Sequence, residues 1–384
     1  VLPSLALATF VAVAALLWAS VVGYPLALGV AALMRRRRRS VVPAVLPPVA
    51  VVVPTLNEAD HIDARLADLA RSDYPADRLE VLVVDGGSTD GTPERVQAAI
   101  AAGARVRLAR VTGGAGQPAQ VAHGLAAAAH DIVVVTDADA RLEPACIRRL
   151  VEVLVRDPST AVVGAAVRPA SPLLEERVHW WFLNLLWWLE GEALSSAIVS
   201  GVCYAVRRSA IDVDLAGAHA ADARIALASA AHGWRVRVCR DARATELRVP
   251  GTRREQLRFR RRRGADYIAE LIRAGALGGA PAGWRIARRM RLWNALATPR
   301  LGIALGFLMS GLLATPHWPW VIAVALGFAV PPVALLLGAS TFAALRGRWW
   351  RLPLAAGRLA AVWWISLLSL PRVTASALGS GDLR

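Results

Sequence analysis

The chain contains no lysine: all 45 basic residues among its 384 are arginine, against 29 acidic ones, so guanidinium groups alone carry the formal net charge of +16. Cysteine is scarce as well. Cys146, Cys203 and Cys239 are odd in number, far apart and without C-x-x-C spacing, which excludes a disulfide framework and a zinc site of the common spacings. They suit a reducing compartment, as small buried apolar groups. The seven histidines form no H-E-x-x-H or other ligand spacing, so none is assigned a catalytic role. There is no internal repeat and no low-complexity tract. No nucleic-acid recognition motif accompanies the basic charge, which sets nucleic acid aside as a partner.

What is present is segregated. Hydrophobic residues make up 55% of the chain and charged residues 19%, and the two kinds occupy different stretches. That pattern predicts a membrane protein with a soluble part. Residues 5–34 carry no charge and exceed the roughly 20 residues a helix needs to cross a bilayer, so a transmembrane helix is expected over 1–34. Arg35 to Arg39 follow on the wrong side for a secretory signal, and the positive-inside rule then puts the next segment in the cytoplasm of a cell-membrane protein. The opening valine leaves a trimmed or alternative start open.

A basic, proline-bearing linker is expected over 35–48, with Pro43, Pro47 and Pro48. Over 49–250, short β-branched runs at 49–55, 80–85, 106–111, 131–137 and 161–167 alternate with helix-like stretches at 59–72, 92–102 and 143–155. The alternation predicts a mainly parallel sheet covered by helices, with ligands gathering beyond the carboxyl ends of the strands. Residues 251–295 are arginine-rich with interleaved apolar residues and read as amphipathic interfacial helices. Over 296–384 a transmembrane hairpin is expected, its two runs at 301–315 and 320–342 joined at Pro316 and Pro319. A third membrane or interfacial helix follows at 352–370. Trp180, Trp181, Trp187 and Trp188, within 173–190, read as an interfacial helix facing the bilayer, with a glycan-stacking platform as the alternative.

Three acidic features fall at predicted strand ends. Val53-Pro54-Thr55-Leu56-Asn57-Glu58 leaves a strand for a helix, and Asn57 can cap that helix. In Val84-Asp85-Gly86-Gly87-Ser88-Thr89-Asp90-Gly91-Thr92 the glycines permit a tight turn. Asp85 can either bond a base or ribose or stabilise its own turn. Asp137-Ala138-Asp139 sets two carboxylates two residues apart, facing the same way if the chain stays extended. Like charges that close are costly without a cation, which points to Mg²⁺ or Mn²⁺.

The three segments in this order resemble the family 2 glycosyltransferases, over roughly residues 49–265. The resemblance implies a GT-A fold, a Rossmann-like mixed α/β sheet flanked by helices, with transmembrane helices at both ends of the chain. It implies that Pro54, Thr55, Asn57, Glu58, Asp85 and Gly86 line the donor's nucleoside. Asp137 would touch the donor, and Asp137 with Asp139 would hold the metal. The family's catalytic carboxylate opens a helix ending in glycine, a frame matched by Ala221-Asp222 through Gly233, which makes Asp222 the general base; the family's preceding Glu is Ala221 here. A Lys and an Asn common in relatives are Gln117 and Ala122. The Gln-x-x-Arg-Trp of processive members is matched only loosely by residues 255–259. Arg258 and Arg262 are candidates for the diphosphate, or alternatively for lipid headgroups.

The implied reaction is an inverting transfer from a nucleotide sugar, UDP- or GDP-linked, to a membrane-associated lipid or lipid-linked glycan. A processive polysaccharide synthase and a non-catalytic nucleotide-sugar-binding scaffold are the alternatives.

Overall fold

A computed structural model describes residues 2–35, 45–111 and 116–325. Part of the arginine cluster and linker, most of the second half of the expected hairpin (326–342) and the expected helix at 352–370 lie outside the described residues. The N-terminal run is helical throughout, as α1 (Leu2–Trp18) and α2 (Tyr24–Met34) joined by a π turn at Ala19–Gly23. The segment Ser4–Met34 is long and apolar enough to cross a membrane, by length and composition, and so is Ala282–Leu313. At 1.5 Å per residue either helix would exceed the roughly 30 Å hydrocarbon thickness.

Between them lies an eight-stranded sheet in the order β3-β2-β1-β4-β7-β6-β8-β5. Its strands are β1 (Val49–Thr55), β2 (Leu79–Asp85), β3 (Val106–Arg110), β4 (Ile132–Thr136), β5 (Ala140–Leu142), β6 (Thr160–Pro169), β7 (Cys203–Arg207) and β8 (Arg235–Glu246). β3, β2, β1 and β4 run parallel, β7 runs antiparallel to both β4 and β6, and β8 returns parallel to β6. The sheet is thus mixed, as the resemblance implied. β1 is buried at every position, as a strand covered on both faces must be.

The helices of this part are α3 (Ala59–Ala70), α4 (Thr92–Ala101), α5 (Gly116–Ala127), α6 (Cys146–Arg156), α7 (Leu174–Ala193) and α8 (Ala221–Ala231). In α6, Ile147, Leu150, Val151 and Leu154 repeat at helical spacing and are all buried, while Arg148, Arg149 and Arg156 turn outward to Glu152. Gly124 of α5 lies so close to β1 that a Cβ there would overlap Val52. α5 can reach the sheet only because this residue is glycine.

The tryptophan-rich helix departs from expectation. Trp180 and Trp187 meet edge-on at 6.1 Å and belong to the main core, so they do not face a bilayer. Leu186, Leu189 and Ala193 on the same helix pack against Leu28 of α2. α7 therefore joins the sheet to the N-terminal helix, because it is apolar around most of its circumference. Beyond the sheet come α9 (Arg253–Arg273) and α10 (Ala282–Leu313), with α1 packed along α10 through Phe10 and Leu312. α10 runs unbroken through residues 295 and 296 and past Pro299, so the change from basic to apolar composition marks no break in the backbone. A short helical stretch after the turn at 314–317 begins at Trp318.

Candidate functional site

The carboxyl ends of β1 and β2 are laced together. The Asn57 N–H donates to Ser88 Oγ at 2.8 Å, and the Thr89 N–H donates to Asn57 Oδ1 at 2.9 Å. Asn57 adopts φ 57°, a left-handed conformation that asparagine tolerates better than most residues. The Glu58 N–H donates to Thr92 Oγ1 and the Ala59 N–H to Asp90 Oδ2, both at 2.9 Å, so side chains of the second loop cap the start of α3. Under this pair of loops, Gln120 Nε2 donates to the Thr55 carbonyl at 2.6 Å. Gly86 leaves room for that amide, which a Cβ would overlap.

Several expected donor contacts are closed off. Pro54 and Thr55 lie within the buried strand, and Asp85 is 1% exposed. Asp85 accepts from the Gly87 N–H at 3.0 Å and the Ser88 N–H at 3.1 Å, so its carboxylate stabilises its own turn. These three shape the loop, and Asn57 and Gly86 form its accessible part.

Asp137-Ala138-Asp139 follows β4. The chain does not stay extended here but turns, with the Ala140 N–H reaching the Asp137 carbonyl at 3.4 Å. The carboxylates remain close nonetheless. Burial, and then the charge of Asp139, push the Asp137 carboxyl up to about 8; Glu246 and Asp222 add to the rise and Arg263 opposes it. Gln117 Nε2 donates to Asp137 Oδ1 at 2.8 Å, so the residue standing where relatives carry Lys still reaches the acidic pair. Asp139 faces the Arg248 Nε at 3.1 Å.

Asp222 occupies the first turn of α8, where the N-cap, Ala220, gives no side-chain bond. Burial raises the pKa of Asp222, and the backbone N–H groups of Ala223, Gly201 and its own residue oppose the rise. Gly201 lets it sit there, since a Cβ would lie 3.1 Å from Asp222 Oδ2. Ala221, where the family has Glu, is 2% exposed, and the charge facing Asp222 comes from Arg263.

The arginines of α9 divide by helical phase. Gln256, Arg260, Arg263 and Tyr267 share the inward ridge; Gln256 and Arg260 both donate to Glu176, at 2.6 and 2.7 Å. Arg263 pairs with Glu246 at 2.6 Å, and its charge reaches both Asp137 and Asp222. Arg258 and Arg262 are exposed, as Arg263 is, but of the three only Arg263 is paired with a residue of the acidic cluster, Glu246. Glu58, another expected donor residue, is 8% exposed and accepts from Arg248 Nη2 through both oxygens, at 2.8 and 2.9 Å.

Glu246, Arg248, Arg263 and Tyr204 complete the cluster, and of these Glu246 and Arg248 are not singled out by the sequence. The Tyr204 hydroxyl is buried without a hydrogen-bond partner and feels the charges of Asp222 and Asp137. Glu246 ends β8 as Asp85 ends β2, a signal that extension of the strand-end rule would have caught. A bulge between Cys239 and Arg243 hid it by interrupting the period of two. Among the described residues no group of three His, Cys, Asp or Glu is arranged to hold a metal ion.

The profile described as "Glycosyl transferase family group 2" matches residues 132–343, more than half of the chain, and that described as "Glycosyl transferase family 2" matches residues 50–212. The chain belongs to the family 2 glycosyltransferases. A probable glycosyltransferase of Bacillus subtilis, YdaM, is 29% identical over 44% of this chain and 42% of its own length. The beta-monoglucosyldiacylglycerol synthase of Synechocystis is 33% identical over 35% of this chain and 28% of its own length. The matches thus span less than half of these curated relatives. Among solved structures, the mannosyltransferase PcManGT from Pyrobaculum calidifontis, in complex with GDP-Man and Mn²⁺, has a TM-score of 0.67 and 27% identity, covering 91% of this chain and 98% of its own.

Proposed function

We propose that this family 2 glycosyltransferase moves a sugar, with inversion, from a nucleotide-sugar donor to a membrane-associated lipid or lipid-linked glycan. The observation that carries the reading is the convergence of Asp137, Asp139 and Asp222 beyond the strand ends, with two of the three carboxyls pushed up by burial. Membrane-facing acceptors are favoured by the two long apolar helices packed beside the catalytic part. The similarity of one segment to a synthase named for a glucosyldiacylglycerol points the same way. The positive-inside rule puts the catalytic part in the cytosol.

The donor set fits a divalent cation. Asp137 and Asp139 present adjacent hard oxygen atoms, and burial together with the charge of Asp139 pushes the Asp137 carboxyl up to about 8, a rise that a bound cation would oppose. Asp137 and Asp139 are the residues that would hold Mg²⁺ or Mn²⁺. The ion supplies electrostatic stabilisation of the diphosphate leaving group.

The remaining steps fall to the chain itself. Asn57 and Gly86 line the nucleoside end of the cleft, on loops fixed by their mutual bonds. Asp222 takes the proton of the acceptor hydroxyl as its oxygen attacks the anomeric carbon from the face opposite the diphosphate. Its elevated pKa makes it a better proton acceptor than an exposed carboxylate, and Gly201 leaves the room in which it sits. Arg263, paired with Glu246, adds fixed positive charge at the same end of the cleft.

The test incubates purified protein and a membrane lipid extract with UDP- and GDP-sugars and Mn²⁺, beginning with GDP-mannose, the donor bound in PcManGT. Nucleoside diphosphate release that disappears in Asp139→Ala and Asp222→Ala supports the proposal. Release unchanged in both rejects the site.

A further inference from the structure

Arg248 bridges two loops that carry proposed donor and metal residues. Its Nη2 donates to both Glu58 oxygens at 2.8 and 2.9 Å, and its Nε lies 3.1 Å from Asp139 Oδ2. The three side chains differ sharply in exposure: Arg248 is 60% exposed, Glu58 9% and Asp139 13%. The guanidinium is therefore the outer layer, and the carboxylates lie beneath it. Its backbone is tied to the same place, since the neighbouring Leu247 N–H donates to the Asp139 carbonyl at 3.2 Å. Glu58 depends on it as well. Burial raises the Glu58 pKa, with the Arg248 bond and charge opposing the rise, so removing Arg248 leaves a carboxylate with less reason to ionise.

We infer that Arg248 is the built-in counter-ion of Asp139, holding the position that a divalent cation must take over. The inference rests on the metal reading of Asp137 and Asp139 and adds a competitor to it. One guanidinium and one divalent ion cannot both sit against Asp139 Oδ2, because each is a positive charge seeking the same lone pairs. Metal binding then requires the side chain to withdraw. Its exposure allows that movement without opening a cavity. Arginine suits the role better than lysine, because a planar fork can span two carboxylates while an ammonium is a single point of charge.

Mn²⁺ binding to the full-length protein in detergent, without nucleotide, measured by titration calorimetry or by loss of the free-Mn²⁺ paramagnetic signal, tests this. Arg248→Met should bind Mn²⁺ about five- to tenfold more tightly than the parent chain, in the usual range of coupling between competing ligands. Arg248→Lys should fall between the two, and it keeps a cation in place if the methionine variant folds poorly. Equal affinity across the three proteins, or weaker binding in Arg248→Met, overturns the inference. The double variant Asp139→Asn with Arg248→Met separates this from the site assignment: if it binds Mn²⁺ as tightly as Arg248→Met alone, the metal reading of Asp139 fails instead.

Discussion

Arg291 of α10 donates to both carboxylate oxygens of Glu190 of α7, Nε at 3.0 Å and Nη2 at 2.7 Å, with the side chains 8% and 0% exposed. Tyr24 of α2 donates its hydroxyl to the same carboxylate at 3.0 Å, and Trp187 lies under the guanidinium at 5.8 Å. The pair thus ties both long apolar helices to the helix that lies on the sheet. Breaking a buried pair strands an uncompensated charge, at a cost of about 3–5 kcal/mol, whereas replacing both partners with apolar groups is often neutral. Arg291→Met and Glu190→Gln should each lower the thermal unfolding temperature of the detergent-solubilised protein, and the combination Arg291→Met with Glu190→Leu should recover most of the loss. Additive losses in the double variant would count against the pair acting as a unit.

Asp222 should set the acid limb of the rate profile. Its folded-state pKa is raised by burial, and a base acts only when deprotonated, so kcat/KM should fall as pH drops through a value above the ordinary carboxylate range. Asp222→Asn should lose about 10²- to 10⁴-fold in turnover, the usual contribution of general-base catalysis. A nucleoside diphosphate release assay across pH reads both, and an asparagine variant with the parent's acid limb would remove Asp222 from the role.

The phase of α9 separates its arginines. Arg263→Met removes the partner of Glu246 and the positive charge facing Asp137 and Asp222, so kcat/KM should drop about tenfold or more. Arg258→Met and Arg262→Met, which do not remove the partner of Glu246, should leave donor kinetics within about twofold. Steady-state kinetics of the three variants with one donor makes the comparison.

Gly124→Ala sets two effects against each other. Alanine improves helix propensity by about 1 kcal/mol, but its Cβ would overlap Val52 in a buried strand, and overpacking costs about 1–3 kcal/mol. The steric term should win, so the variant unfolds at lower temperature. Adding Val52→Ala should relieve the clash, leaving only the cavity cost of the smaller side chain. Calorimetric unfolding of single and double variants decides the order.

Much of this was legible in one dimension. The uncharged N-terminal run, the alternation of β-branched and helical stretches, and the glycine- and aspartate-rich turns depend on local rules of period and propensity, so they could be read before folding. The resemblance to the family rested on contiguous motifs. Residues that meet only because strands are neighbours could not be read this way. Glu246 reaches Asp137 because β8 runs beside β5, more than a hundred residues from β4 in sequence, and its bulge concealed the strand end. Arg263 was hidden among the seven other arginines of α9, and only its pairing with Glu246 across the fold selected it.

The sequence by itself determined the fold class, the membrane-length helices and the order of the acidic motifs, because apolar periodicity and turn chemistry act over a few residues. Tertiary structure decided which charges share a site. Burial raised Asp137 and Asp222, closed Asp85 into its own turn, turned Trp180 and Trp187 inward and set Arg248 over Asp139. Those outcomes depend on desolvation and on distances across the sheet, neither of which a linear spacing contains.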